Sequence, residues 1–185
     1  MENIIDSLNK ISFRLSEDSF LGNKGLSNEV GIHIFCYNPK YEQTVIAYFD
    51  KLKSTPNTSF NLIECDLYKI FLKICEDKKV LNVIPKIEES KDKTFLITQL
   101  QNIATPEVFV NYMKYEPHKY GDVLLITGVG KVYPFMRAHN ILDNIQHVFS
   151  DIPILVLYPG SFNGQEMNLF GKFHDSNYYR AFNLL

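Results

Sequence analysis

Residues 122–135 read DVLLITGVGKVYPF and residues 136–149 read MRAHNILDNIQHVF. The apolar run Val123 to Ile126, bounded by a glycine-rich turn, has the pattern of a buried strand. The turn is Thr127-Gly128-Val129-Gly130-Lys131. Pro134 suits the first turn of a helix, where its missing N–H costs nothing. Phe135, Ala138, Leu142, Ile145 and Phe149 then recur three and four apart and define one apolar stripe. The reading is a strand, a tight turn and an amphipathic helix opened by Pro134, the half-unit of an α/β sheet.

Working outward, the same alternation recurs. Ile4, Ile5, Leu8, Ile11 and Leu15 have helical spacing. Gly31 to Tyr37 reads as a strand closed by Asn38-Pro39, and Tyr41 to Lys53 as a helix. FNLIEC (60–65) is a second strand, and Asp66 stands where the next helix begins. Residues 86–93 mix charges and read as a solvated loop or helix end. Phe95 to Ile103 reads as helical, and Thr105-Pro106-Glu107 restarts a helix with a cap and a proline. Ile152 to Tyr158 is a further strand, closed by Pro159-Gly160. Four apolar, non-alternating strands with helices between them predict a mainly parallel sheet covered on both faces, a three-layer α/β sandwich. With 185 residues and no internal repeat, one domain spanning 1–185 is expected.

Hydrophobic residues make up 45% and charged residues 22%, as in soluble globular proteins, and the net charge of -2 argues against generic nucleic-acid binding. No apolar run reaches membrane-spanning length, and the N-terminus lacks the layout of a signal peptide. Cys36, Cys65 and Cys75 form no C-x-x-C pair. They read as core thiols of a reducing compartment rather than zinc ligands, so a cytoplasmic location is expected.

The turn at 127–131 invites comparison with a phosphate loop, but G-x-x-x-x-G-K-[ST] fails at Leu125 and Val132. Thr127, Gly128 and Gly130 remain anion-binding candidates through the N–H groups of the first helical turn. Asp66 reads as a helix N-cap in preference to a catalytic carboxylate, because no second acid has an evident matching position. His139, Asp143 and His147 have metal-site spacing, but a solvated helix face explains them more simply. His33 reads as a hydrogen-bonded core histidine, whereas His118 and His174 have no evident partner. No serine sits in G-x-S-x-G, so no catalytic residue, metal or cofactor is assigned.

Partner-binding candidates come from the carboxyl edge of the sheet, where ligand sites gather in open parallel sheets. Tyr37, Tyr133, Arg137 and Asn140 are expected near that rim. Arg137 could instead pair with Asp66 or Asp175. Tyr178, Tyr179, Arg180 and Phe182 form an aromatic tail run that either contacts a partner or docks on the sheet, and Tyr179 and Arg180 join the partner-binding set.

The run from Leu124 to Phe149, with its TGVGKVYPF core and the Arg137, His139 and Asn140 that follow, resembles the BrxB family of bacterial BREX (bacteriophage exclusion) defence systems, a family of unknown molecular function. The likeness extends to Gly25–Val30, Asp66-Leu67-Tyr68, Tyr158-Pro159-Gly160, Leu169-Phe170-Gly171 and Asn177–Phe182. At Cys36-Tyr37-Asn38-Pro39-Lys40 the chain departs from similar proteins, which tend to carry Asp and extra proline or Glu there. The resemblance implies a P-loop-NTPase-like core without a Walker motif. It also implies a small adaptor or regulatory subunit beside a methyltransferase, an ATPase and a phosphatase-like protein, the last being the first partner to test. The alternative is a nucleotide- or nucleic-acid-processing enzyme with its site at the strand ends around Asp66, Thr127 and Gly128. A cluster of carboxylates in that crevice would favour the enzyme, and an apolar patch rimmed by polar groups would favour the adaptor.

Overall fold

The computed structural model describes residues 4–23, 31–56, 59–175, 177 and 181–185. Its helices are α1 (Ile4–Leu15), α2 (Asp18–Leu21), α3 (Glu42–Ser54), α4 (Leu67–Asp77), α5 (Ile84–Ser90), α6 (Lys93–Ile103), α7 (Pro106–Met113), α8 (Val129–Val132) and α9 (Ala138–Ile145). The strands are β1 (Ile32–Tyr37), β2 (Asn61–Asp66), β3 (Asp122–Thr127), β4 (Ile154–Phe162), β5 (Met167–Leu169), β6 (Phe173–Asp175) and β7 (Phe182–Asn183).

The sheet runs in the order β2-β3-β4-β1-β7, and each of these pairs is parallel. An antiparallel hairpin of β5 and β6 hangs from the far end of β4. Every residue of β3 is buried, as a strand covered on both faces requires. Its alternate side chains feed two cores. Leu124 and Ile126 join Ile34, Ile154 and Val156 under α4, α6, α7 and α9, whereas Val123 and Leu125 join Phe35, Leu155 and Leu157 under α1 and α3. The molecule is thus a three-layer α/β sandwich with a mainly parallel central sheet. Among the described residues, no helix is long and apolar enough to cross a membrane.

Two sequence expectations need correction. The helix expected to open at Pro134 is two helices. Gly128, at φ +73°, lets α8 start directly after β3. A residue before proline is pushed out of the α region, and Tyr133 is extended (φ −63°, ψ 135°), so α8 stops at Val132. Helix α9 starts only after Arg137, itself extended at φ −104° and ψ 147°. The apolar stripe survives this break: Leu142, Ile145 and Phe149 are buried, and Phe135 and Ala138 pack against the same core.

The second correction concerns β4, which does not close at Pro159-Gly160. Pro159 lies opposite Tyr37 at the end of the parallel ladder, and Gly160 already pairs with Leu169 of β5. A β-carbon on Gly160 would stand 2.1 Å from the Asn168 carbonyl oxygen, so the absent side chain is what lets β4 exchange one neighbour for the other. The charged stretch at 86–93 is mostly helix α5. The end of the aromatic tail docks beside β1 as β7, with His33 opposite Phe182. Tyr178, Tyr179 and Arg180 lie outside the described residues, as does the Gly25–Val30 stretch.

Candidate functional site

The carboxyl edge of β1, β2 and β3 opens into a cleft of about 170 Å3. Strand β2 presents Glu64 and ends at Asp66, β3 ends at Thr127, β1 ends at Tyr37, and α3 contributes Glu42, Asp50 and Lys53. These groups satisfy one another. Thr127 Oγ1 donates to Glu64 Oε1 at 2.9 Å, and Tyr37 Oη donates to Glu42 Oε2 at 2.6 Å. Lys53 bridges Glu64 and Asp50, the latter at 2.9 Å. Burial opposes the charge on Lys53, but the hydrogen bonds to both carboxylates outweigh it and raise its pKa. Burial and the bond to Glu42 push the Tyr37 phenol well above its usual range.

Asp66 is the N-cap of α4, with Oδ1 accepting from Tyr68 N at 2.9 Å and Lys69 N at 3.1 Å. The sequence reading found no second acid to accompany it. The fold supplies three in Glu42, Asp50 and Glu64. Glu64, two residues before Asp66 on the same strand, was the legible signal, because side chains at i and i+2 share a face. Glu42 and Asp50 arrive only through the packing of α3.

The anion candidates lie in this cleft or beside it. Gly128 has the Asp66 carboxylate against its Cα, and Gly130 lies beneath the Phe170 ring of the hairpin. The Thr127 hydroxyl is engaged by Glu64. An incoming anion would therefore meet two carboxylates beside the N–H groups of the turn.

Of the partner-binding candidates, Tyr133, Arg137 and Asn140 come together on the outer surface at the break between α8 and α9. Tyr37 does not join them, being buried in the cleft. Arg137 stands on a ridge between two hollows. One, against the β5–β6 hairpin, is lined by Tyr133, Phe173 and Tyr158, with His174 and Asp175 at its border. The Tyr133 and Phe173 rings lie 4.6 Å apart, and Phe173 is 43% exposed. The other hollow lies against the α6–α7 corner and includes Asn140. Arg137 is exposed and makes no ion pair with a described carboxylate, so neither Asp66 nor Asp175 is its partner.

The histidines are more structural than their spacing suggested. His139 is not on a solvated face: its Nδ1 lies 2.7 Å from Asp175 Oδ2, with both side chains mostly buried, and the pair ties α9 to β6. His147 and Asp143 are exposed. His118 contacts Asp151 at 2.7 Å and stacks on Phe149, and His174 lies 3.4 Å from Glu166. His33 differs from the hydrogen-bonded histidine expected, because its Nδ1 is buried without a partner among the described residues. Cys65 and Cys75 are buried and Cys36 half-buried, and burial pushes the Cys36 and Cys65 thiols up to about 12.

Comparison with known proteins bears on the whole chain. The family model described as BREX protein BrxB matches residues 63–184. A protein of Bacillus cereus (strain H3081.97) named BREX protein BrxB is 36% identical, and the alignment covers 100% of this chain and 99% of that protein. One of the same name from Escherichia coli O9:H4 (strain HS) is 26% identical over 96% of this chain and 90% of its own length. No solved structure matches. The matched region begins within β2 and takes in both the capped turn at Asp66 and the Arg137 ridge, and on these grounds the chain belongs to the BrxB family of BREX proteins.

Proposed function

We propose that this chain is a small, non-catalytic component of a BREX phage-defence system. In this reading it works in the cytoplasm through contacts with other BREX components, the phosphatase-like protein first among them. One observation carries the reading. The titratable groups at the carboxyl edge are largely engaged with one another, while an exposed arginine that pairs with no described carboxylate stands between two partly apolar hollows on the outer surface. Arginine and tyrosine at such a position suit a binding centre, since they combine contact area with hydrogen-bond capacity. The test is co-purification of the tagged chain from cells carrying the complete set of BREX components. The phosphatase-like protein should be retained with it, and recovery of the chain alone would refute the proposal.

A second reading, an enzyme acting on nucleotides or nucleic acid, draws on the four carboxylates Glu42, Asp50, Glu64 and Asp66 around the cleft. It requires hydrolysis of a nucleotide or oligonucleotide by the purified chain, with loss of that activity in Glu64→Gln. Activity that survives this substitution would point to a contaminant.

A further inference from the structure

The hollow between the α6–α7 corner and the link from α8 to α9 has a volume of about 260 Å3, far more than the roughly 30 Å3 share of one water molecule. Its accessible apolar lining is Pro106, Pro134 and Phe135, all half-buried, over a base of Ala104 and Met136, which at 0% and 4% exposed belong to the core. Half-buried apolar rings of this kind gain when an apolar side chain covers them. The Gln101 amide donates to the Pro134 carbonyl at 2.8 Å, which fastens the α8–α9 link to α6. Thr105 and Asn140 supply polar groups to the lining. Among the described lining residues Arg137 is the one that carries charge, and no described carboxylate pairs with it.

A guanidinium with no described carboxylate partner, beside an apolar lining, specifies its complement. The planar fork of arginine matches a carboxylate through two parallel hydrogen bonds, and the lining gains by covering with an aliphatic or aromatic side chain. We infer that this hollow receives a segment of a protein partner in which an acidic side chain adjoins an aliphatic or aromatic one. The carboxylate sits on Arg137, and the apolar group covers Pro134 and Phe135. The inference rests on the reading of the chain as a protein-contact subunit and adds the chemistry of what it contacts. A nucleic-acid strand fits less well, because its phosphates would satisfy Arg137 but leave the apolar lining without a complement.

The test uses isotope-labelled chain observed by NMR and titrated with three probes. These are a capped octapeptide with Asp-Leu-Phe at its centre, the same peptide with Lys in place of Asp, and a single-stranded oligonucleotide. The acidic peptide should shift the resonances of Thr105, Arg137 and Asn140 saturably, about tenfold more tightly than the lysine peptide. Arg137→Glu, a surface change that leaves the core untouched, should reverse that preference. No saturable shift at these residues, equal response to both peptides, or response to the oligonucleotide alone would overturn the inference. Self-association that buries these residues and is abolished by Arg137→Glu would also overturn it, with a second copy as the occupant. A selective peptide response without co-purification of any BREX component would sink the function proposed above and leave this inference standing. Co-purification with no peptide response would do the reverse.

Discussion

Asp66 and Gly128 occupy one small space: a β-carbon on Gly128 would stand 2.4 Å from Asp66 Oδ1. The same oxygen caps α4, so the exit of β2, the start of α4 and the exit of β3 are locked by a single carboxylate. Gly128 also has φ +73°, a conformation that costs any other residue energy. Gly128→Ala should therefore lose at least about 2 kcal/mol in urea unfolding, the sum of backbone strain and displaced cap. Asp66→Ala alone should cost about 1 kcal/mol. Because Asp66→Ala removes the carboxylate that the new methyl group of Gly128→Ala would clash with, the double variant should be less destabilised than the sum. Strict additivity would show that the residues do not compete for the space.

The purified chain should neither bind ATP–Mg2+ with micromolar affinity nor hydrolyse it. A phosphate loop surrounds its anion with backbone N–H groups and places a hydroxyl on magnesium. Here the Thr127 hydroxyl is held by Glu64, the Asp66 carboxylate fills the space beside Gly128, and Val132 stands where the motif needs Ser or Thr. Calorimetric titration is the measurement, and a magnesium-dependent micromolar site would revive the enzyme reading.

The sheet and its two covered faces were legible because a buried parallel strand announces itself in composition alone, as Val123 to Ile126 does. The Asp66 cap was legible for a similar reason, since capping depends on a residue and the three that follow it. What escaped were effects of a partner distant in sequence. Pro159-Gly160 looks like a stop signal, yet the strand passes through it because β5 arrives on the other side. His139 looks like a surface residue until Asp175 arrives, 36 positions later. The cleft acids Glu42 and Asp50 lie on a helix whose rotation is set by Val45 and Phe49 packing on the sheet, which no local pattern encodes for their neighbours. The break at Tyr133-Pro134 was readable in principle, because proline excludes the preceding residue from a helix. The strong apolar stripe on either side concealed it.

Stability should fall as acid is added, through His33. Burial first, and then the Arg14 charge, lowers its pKa from 6.5 to about 4. Unfolded chains take up this proton near pH 6.5 and the folded protein only near pH 4, so the unfolded state holds more protons across that window. The stability is complete above pH 6.5 and is lost progressively as the pH falls towards 4. Between pH 7 and 4.5 the wild-type chain should lose about 2 kcal/mol more than His33→Leu does, measured by urea unfolding. Parallel losses in the two proteins would mean that His33 charges freely in the folded state.

Arg137→Glu and Asn140→Ala should weaken co-purification with the phosphatase-like BREX protein while leaving the melting temperature nearly unchanged. The first residue is exposed and unpaired among the described residues, and the second lies half-buried in the same hollow one helical turn on. Surface substitutions that remove no capping bond and no core contact are usually within about 0.5 kcal/mol of neutral, so folding should not confound the result. Arg137 stands at the N-cap of α9 but makes no side-chain capping bond there, which removes the most direct structural role for it. His147 lies exposed just beyond the opposite end of α9 and lines neither hollow, so His147→Ala should change neither binding nor melting. A comparable loss of melting temperature and binding in Arg137→Glu would make the arginine structural. Loss of binding in His147→Ala alone would move the contact surface to the far end of the helix, where Phe149 and His118 close the core.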